Sequence, residues 1–264
     1  MTVMDATSAL EVQGLSVRFG GVTALADVSL TAQVGQMVGI IGPNGAGKTT
    51  LFDALSGLCR PSGGSIHFDG LDITNRSAVW RARNGMRRTF QRQQVFGRLT
   101  VEENLLTACE WESGGGGMVA DLVRFPTRTA REKKRRVRAA EVVELCGLTS
   151  ARSRPAGLLP IGAARRLELG RALIDNPRLL LLDEPTSGLD TAEVEILRKV
   201  LAHLHSFTNC AVLLVEHDIN FVMAQAQVVY VLVTGSVLAY GTPEQVRDHA
   251  DVRTAYLGDH DASR

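Results

Sequence analysis

No run of about 18 uncharged apolar residues occurs in the 264-residue chain, so no segment reads as a membrane-spanning helix. Met1-Thr2-Val3-Met4-Asp5 lacks a basic stretch followed by an apolar one, and no signal peptide is expected. Cysteine is sparse. Cys59, Cys109, Cys146 and Cys210 are widely spaced with no Cys-x-x-Cys, and they read as small buried or half-buried residues in a reducing compartment. Charge of one sign is lacking too. The net charge of +1 provides no global pull toward nucleic acid. What remains is ordinary for an α/β protein: 45% apolar and 22% charged residues, in a chain long enough for one large core or a core plus a smaller subdomain.

The most informative stretch is Gly42-Pro43-Asn44-Gly45-Ala46-Gly47-Lys48-Thr49-Thr50. It follows Met37-Val38-Gly39-Ile40-Ile41, an apolar run that reads as a buried strand, and precedes Leu51-Phe52-Asp53-Ala54-Leu55, spaced as a helix. Strand, glycine-rich loop and helix in that order make a phosphate-binding loop. The glycines let several backbone N–H groups converge on one anion, and the helix start adds unpaired N–H groups and a partial positive charge. Lys48 is placed to reach the β- and γ-phosphates, Thr49 to ligate Mg²⁺, and Thr50 to donate to the α-phosphate.

Upstream, Leu10–Gln13 and Leu15–Phe19 alternate around Gly14, and with Val28–Leu30 they read as paired strands. Phe19 stands before a Gly20-Gly21 turn. Taken alone, a phenylalanine there is more often core than a stacking platform for a base. Met86–Gln91 reads as a strand ending in Gln91, which in isolation carries no signal. Thr100 and Glu103 form a capping box ahead of a helix, and Gly114 to Gly117 read as a flexible link. The basic residues from Arg131 to Arg138 belong to an expected amphipathic helix, 131–146. Its apolar stripe (Val137, Val142, Val143, Leu145) and its glutamates favour a solvated face over a nucleic-acid or lipid contact.

A helix is expected over Leu167–Ile174, stopping before Asn176-Pro177. Leu179–Leu182 then runs without interruption into Asp183-Glu184. That is the pattern of a parallel strand buried on both faces, with acids at the carboxyl end where open α/β sheets bind ligands. Asp183 suits a metal ligand and Glu184 a proton acceptor for attacking water. Ser187–Asp190 reads as a turn. Ala211–Val215 is a second buried strand, ending in Glu216-His217-Asp218, and in parallel order its end lines the same crevice.

In this order the pieces resemble the nucleotide-binding subunit of ABC transporters over residues 9–258. They supply an aromatic A-loop (Phe19), Walker A (Gly42 to Thr49), Q-loop (Gln91), signature region (Leu159 to Ala163), Walker B (Asp183, Glu184), D-loop (Asp190) and switch histidine (His217). Arg88-Thr89-Phe90-Gln91, Leu99 to Leu106, Arg165 to Leu169, Val215 to Asp218 and Gly241 to Val246, with Ala255-Tyr256-Leu257-Gly258, are similar to the longer type of ATPase in branched-chain amino-acid importers. The resemblance implies an α/β P-loop NTPase fold with an N-terminal antiparallel β subdomain and a helical insertion. The domain would be single, over 9–258, with a core of about 9–91 and 161–258, a helical subdomain of about 92–160, and flexible tails at 1–8 and 259–264.

Functionally, it implies ATP held by Phe19 and the loop, and Mg²⁺ on Thr49, Asp183 and Gln91. Glu184, His217 and Gln91 would be catalytic, and Gly162 and Asp190 would be offered to nucleotide. It also implies two membrane permeases, a second ATPase (a heterodimer, with a homodimer as the alternative), an extracytoplasmic binding protein reached indirectly, no nucleic acid, and a peripheral place on the cytoplasmic membrane face. The signature departs from the family pattern. Pro160 and Ala163 replace the usual hydroxyl- and amide-bearing residues, so an asymmetric pair of ATP sites is expected. Two rivals use the same residues: a nucleotide-binding regulatory partner and a soluble ABC ATPase outside transport.

Overall fold

The computed structural model describes residues 8–90, 94–109 and 125–254. Gln91, the 114–117 glycine run, residues 255–258 and the tails at 1–7 and 259–264 lie outside the described residues. The chain divides into two compact units: Met1–Arg88 with Arg178–Pro185 and Leu201–Arg264, and Thr89–Pro177 with Thr186–Val200.

The first unit contains two sheets. Strands β1 (Ser8–Phe19), β2 (Val22–Gln33), β4 (Gly63–Phe68) and β5 (Leu71–Asp72) form one, antiparallel, in the order β2-β1-β4-β5. β1 buries Leu10 and Val12 at even positions but Leu15 and Val17 at odd ones. A continuous pleat cannot keep both pairs on one face, so the register shifts between Val12 and Leu15, where Gly14 takes φ 59°.

The second sheet has the order β10-β9-β3-β8-β7-β6. Here β3 is Met37–Ile41, β6 Met86–Arg88, β7 Leu179–Asp183, β8 Ala211–Val215, β9 Val228–Val233 and β10 Ser236–Gly241. Five strands are parallel and β10 alone runs antiparallel, on β9. β3, β7 and β8 are buried at every position, which their unbroken apolar runs required. β6 is shorter than the sequence suggested. It ends at Arg88, whose side chain is bound inside the first unit.

Helix α1 (Lys48–Ser56) follows β3 and is closed by Gly57 in the left-handed conformation. Its last carbonyls, on Ala54 and Leu55, accept hydrogen bonds from Arg81 on α2 (Ala78–Arg83) at 2.7 and 2.6 Å. That guanidinium is buried and also donates to the carbonyls of Ile73, Thr74 and Arg76.

The second unit is helical: α3 (Val101–Cys109), α4 (Phe125–Leu145), α5 (Ile161–Leu173) and the start of α6 (Thr191–Phe207). Thr100 and Glu103 exchange the expected capping bonds at 3.2 and 2.8 Å. Val101, Leu105, Val142, Cys146, Leu167 and Ile174 pack a separate core. Two helices start six residues earlier than their apolar spacing indicated, α4 at Phe125 and α5 at Ile161. Pro160 stands as the cap before α5, where a missing N–H costs nothing. Because α5 packs on α3 and α4, residues 161–177 fall in this unit rather than in the core segment expected from residue 161 onward. The first unit closes with α7 (Ile219–Gln225), capped by Asp218, and α8 (Pro243–Asp248), which begins with a Thr242–Gln245 capping box.

Candidate functional site

The loop between β3 and α1 has the geometry its glycines demanded. Gly42 takes φ 157° and Gly47 φ 100°. A Cβ on Gly42 would collide with the Leu232 carbonyl, and one on Gly47 would come within 2.8 Å of the Ala24 carbonyl. Ala46 is buried, and its carbonyl accepts from the Gly235 N–H at 3.0 Å, anchoring the loop to the β9–β10 turn. Pro43 is half-buried, while Asn44, Gly45 and Thr49 are exposed; Thr50 is half-buried. Lys48 Nζ curls back to donate to the carbonyls of Gly42 at 2.6 Å and Pro43 at 3.0 Å. Burial holds its pKa below the usual lysine value, and the charges of Glu184 and Asp183 oppose that shift.

Those two carboxylates sit at the carboxyl end of β7. Asp183 is 3% exposed. Burial pushes its pKa up, and the Arg88 guanidinium, 3.0 Å from Oδ2, pulls it back. Glu184 follows with φ 48°, a left-handed conformation costly for a residue with a Cβ, by about 1–3 kcal/mol. The Glu184 N–H donates to the Val215 carbonyl at 2.9 Å, so β8 holds the turn. The result is a side chain aimed along the strand ends: Glu184 Oε1 lies 2.7 Å from His217 Nε2. His217 is half exposed and Glu184 mostly covered. Glu184 thus combines a left-handed backbone, an imidazole partner and the neighbouring charge of Lys48.

Phe19 stands at the β1–β2 turn and is 54% exposed, so it is not a core residue. Gly162 and Asp190 belong to the second unit. Gly162 lies in the first turn of α5 and is buried. The sequence left its helix end open to an anion; the structure puts the Glu193 carboxylate against it, so close that a Cβ on Gly162 would overlap that group. Glu193 Oε1 accepts from Arg166 at 3.0 Å, and Oε2 accepts from the Asp190 N–H at 3.2 Å. Asp190 Oδ1 in turn accepts from the Glu193 N–H at 2.8 Å, a reciprocal cap for α6. One carboxylate therefore ties the signature helix to the Asp190 turn.

Sequence reasoning gave neither Arg88 nor Glu193 a role of its own. The Asp190-x-x-Glu193 spacing was a readable signal for the second. Arg88 entered only as part of the Arg88–Gln91 stretch that resembles the importer ATPases, and no local pattern told its partners from those of Arg87.

Known proteins resemble this chain in sequence and fold. The family model for ABC transporters matches residues 25–187, and that for the branched-chain amino acid ATP-binding cassette transporter matches residues 236–262. The high-affinity branched-chain amino acid transport ATP-binding protein BraF of Pseudomonas aeruginosa is 43% identical over 95% of this chain and 98% of its own length. LivG of Escherichia coli, with the same description, is 40% identical over the same shares. Among solved structures, the ADP conformation of MJ1267, an ATP-binding cassette of an ABC transporter, superposes with a TM-score of 0.79 at 28% identity, covering 95% of this chain and 99% of that one. The chain belongs to the ABC transporter family as an ATP-binding subunit, an ATPase.

Proposed function

We propose that this chain energises the import of branched-chain amino acids or related small amides. It would be peripheral to the cytoplasmic membrane face, bound to two permeases and paired with a second, unlike ATPase. An extracytoplasmic binding protein would deliver the solute. The observation that carries the catalytic part is the 2.7 Å Glu184–His217 pair at adjoining strand ends. The solute is supported by the similarity to BraF and LivG and by the branched-chain family model at residues 236–262.

On this reading Phe19 stacks on the base and the loop N–H groups of residues 42–49 hold the phosphates. Lys48 leaves its own loop carbonyls for the β- and γ-phosphate oxygens. Glu184 accepts the proton of attacking water, and His217 fixes the Glu184 carboxylate and contacts the γ-phosphate. The donors suit Mg²⁺: an exposed Thr49 hydroxyl on α1 and the Asp183 carboxylate, with Gln91 as a third. Among the described residues no group of three or more His, Cys, Asp or Glu gathers for a metal. When bound, Mg²⁺ neutralises phosphate charge.

The two nucleotide sites of the dimer would be unequal. Pro160 supplies no hydroxyl and Ala163 no amide to a partner's γ-phosphate, and Glu193 sets a negative charge beside Gly162. Losing a hydrogen bond to a charged partner costs about 1.5–3 kcal/mol, on the order of 10–150-fold in rate if felt fully in the transition state.

The test is co-expression with the permeases and partner ATPase of its own operon, followed by reconstitution in vesicles. ATP hydrolysis should rise when leucine-loaded binding protein is added. No rise with leucine, isoleucine, valine or a small amide refutes the solute assignment, and failure to co-purify with permeases refutes the transport reading.

A further inference from the structure

Arg88 is used by no step above, yet it occupies a commanding position. Its side chain is 7% exposed, and its guanidinium donates to Asp183 Oδ2 at 3.0 Å, Asp53 Oδ1 at 2.6 Å and Ser56 Oγ at 3.0 Å. Its plane also lies over the Phe52 ring, 5.6 Å from the centroid. Asp53, Ser56 and Phe52 all lie on α1, the helix that opens with Lys48 and Thr49. Thr49 and Asp53 are four residues apart and share one face of that helix. Asp183 comes from the end of β7. Arg88 therefore bridges the two elements that carry the oxygen donors expected to meet the cation.

We infer that Arg88 is a positioning residue for the metal-facing carboxylate of Asp183, acting as a strut between that carboxylate and the Thr49 face of α1. The inference rests on the nucleotide–metal reading given above. Its physical basis is threefold. A carboxylate this buried needs a compensating partner to stay oriented in a low-dielectric setting. One guanidinium N–H bonded to Asp183 Oδ2 holds that oxygen in place, while the other arm of the same rigid group is bonded to α1. Asp53 and Ser56 hold the fork itself, so the carboxylate cannot turn without disturbing α1. Partners of this kind behind a metal ligand typically alter metal affinity by about 10–100-fold when removed.

The purified full-length chain provides the test, with Mn²⁺ as the probe. Arg88→Lys keeps the charge but loses the fork. Asp53→Asn keeps Arg88, Asp183 and the Ser56 bond but removes the charged acceptor that holds the guanidinium to α1. Binding of Mn²⁺ in the presence of ATP is followed by electron paramagnetic resonance. ATP affinity without metal is measured separately, and folding is checked by circular dichroism. Both folded variants should bind Mn²⁺ with ATP roughly 10–100-fold more weakly than the parent, with metal-free ATP affinity within about twofold. If Arg88→Lys does not fold, Asp53→Asn decides alone.

Mn²⁺ affinity within about threefold of the parent overturns the inference. So does an equal fall in metal-free ATP affinity, which would make Arg88 a support of the phosphate loop instead. A parent chain whose Mn²⁺ binding does not depend on ATP fails at an earlier point and overturns the metal reading itself.

Discussion

Gly162→Ala should change sign with its background. In the parent chain an added Cβ overlaps the Glu193 carboxylate, and the flexible end that must move is the one bonded to Arg166 and to the Asp190 N–H. Hydrogen bonds to charged groups contribute about 1.5–3 kcal/mol each, and a shifted carboxylate keeps part of that, so a loss of about 2 kcal/mol is reasonable. Against it stands a helix-propensity gain of about 1 kcal/mol for alanine over glycine in α5. Gly162 has no positive φ, so its backbone conformation adds no strain.

The loss wins, and Gly162→Ala should destabilise the parent by about 1 kcal/mol. With Glu193→Ala already present the obstacle is gone, and the same change should stabilise by up to about 1 kcal/mol. The coupling energy from the four-member cycle is then about 2 kcal/mol, read from urea-denaturation midpoints. Equal stabilisation in both backgrounds would show that Glu193 does not stand against Gly162, and the account of a carboxylate tying the signature helix to the Asp190 turn would fall with it.

Three further outcomes follow from the geometry. Phe19→Ala should weaken ATP binding about tenfold, within the roughly 1–3 kcal/mol that base stacking on an aromatic supplies, as measured by titration calorimetry; unchanged affinity would return the exposed ring to a surface residue. Arg81→Met leaves the carbonyls of Ala54, Leu55, Ile73, Thr74 and Arg76 without their buried donor and should lower stability by at least about 3 kcal/mol in urea denaturation. The Cys146 and Cys210 thiols are pushed up to about 12 by burial, so at pH 8 roughly one in 10⁴ is thiolate. A disulfide reagent should reach neither before the chain unfolds, whereas half-buried Cys59 should react first.

The parts of this fold governed by short-range rules were legible in the sequence. The loop from Gly42 to Thr49 needs positive φ at fixed spacing, and only glycine supplies that cheaply. The leucine run 179–182 and the apolar run 211–215 have the length and pattern of strands covered on both sides. Thr100 and Glu103 spell their own cap. Long-range geometry was not legible. The start of α5 carries Ile161-Gly162-Ala163-Ala164, with no apolar period to announce a helix, so the expected boundary came six residues late. Arg88 looks like its neighbour Arg87, yet one reaches the Ala82 carbonyl and the other joins two carboxylates. Glu193 gains its position only because a glycine, remote in sequence, leaves room for it. The strain at Glu184 depends on β8 holding its N–H, which no local pattern records.

The most direct measurement is single-turnover ATP hydrolysis by the assembled complex, with the partner's own base already removed so that turnover belongs to this chain's half-site. Introducing Glu184→Gln there should lower the rate by about 10²–10⁴ while ATP affinity stays within a few-fold. Hydrolysis that survives the change would contradict Glu184 as the base held by His217 at 2.7 Å.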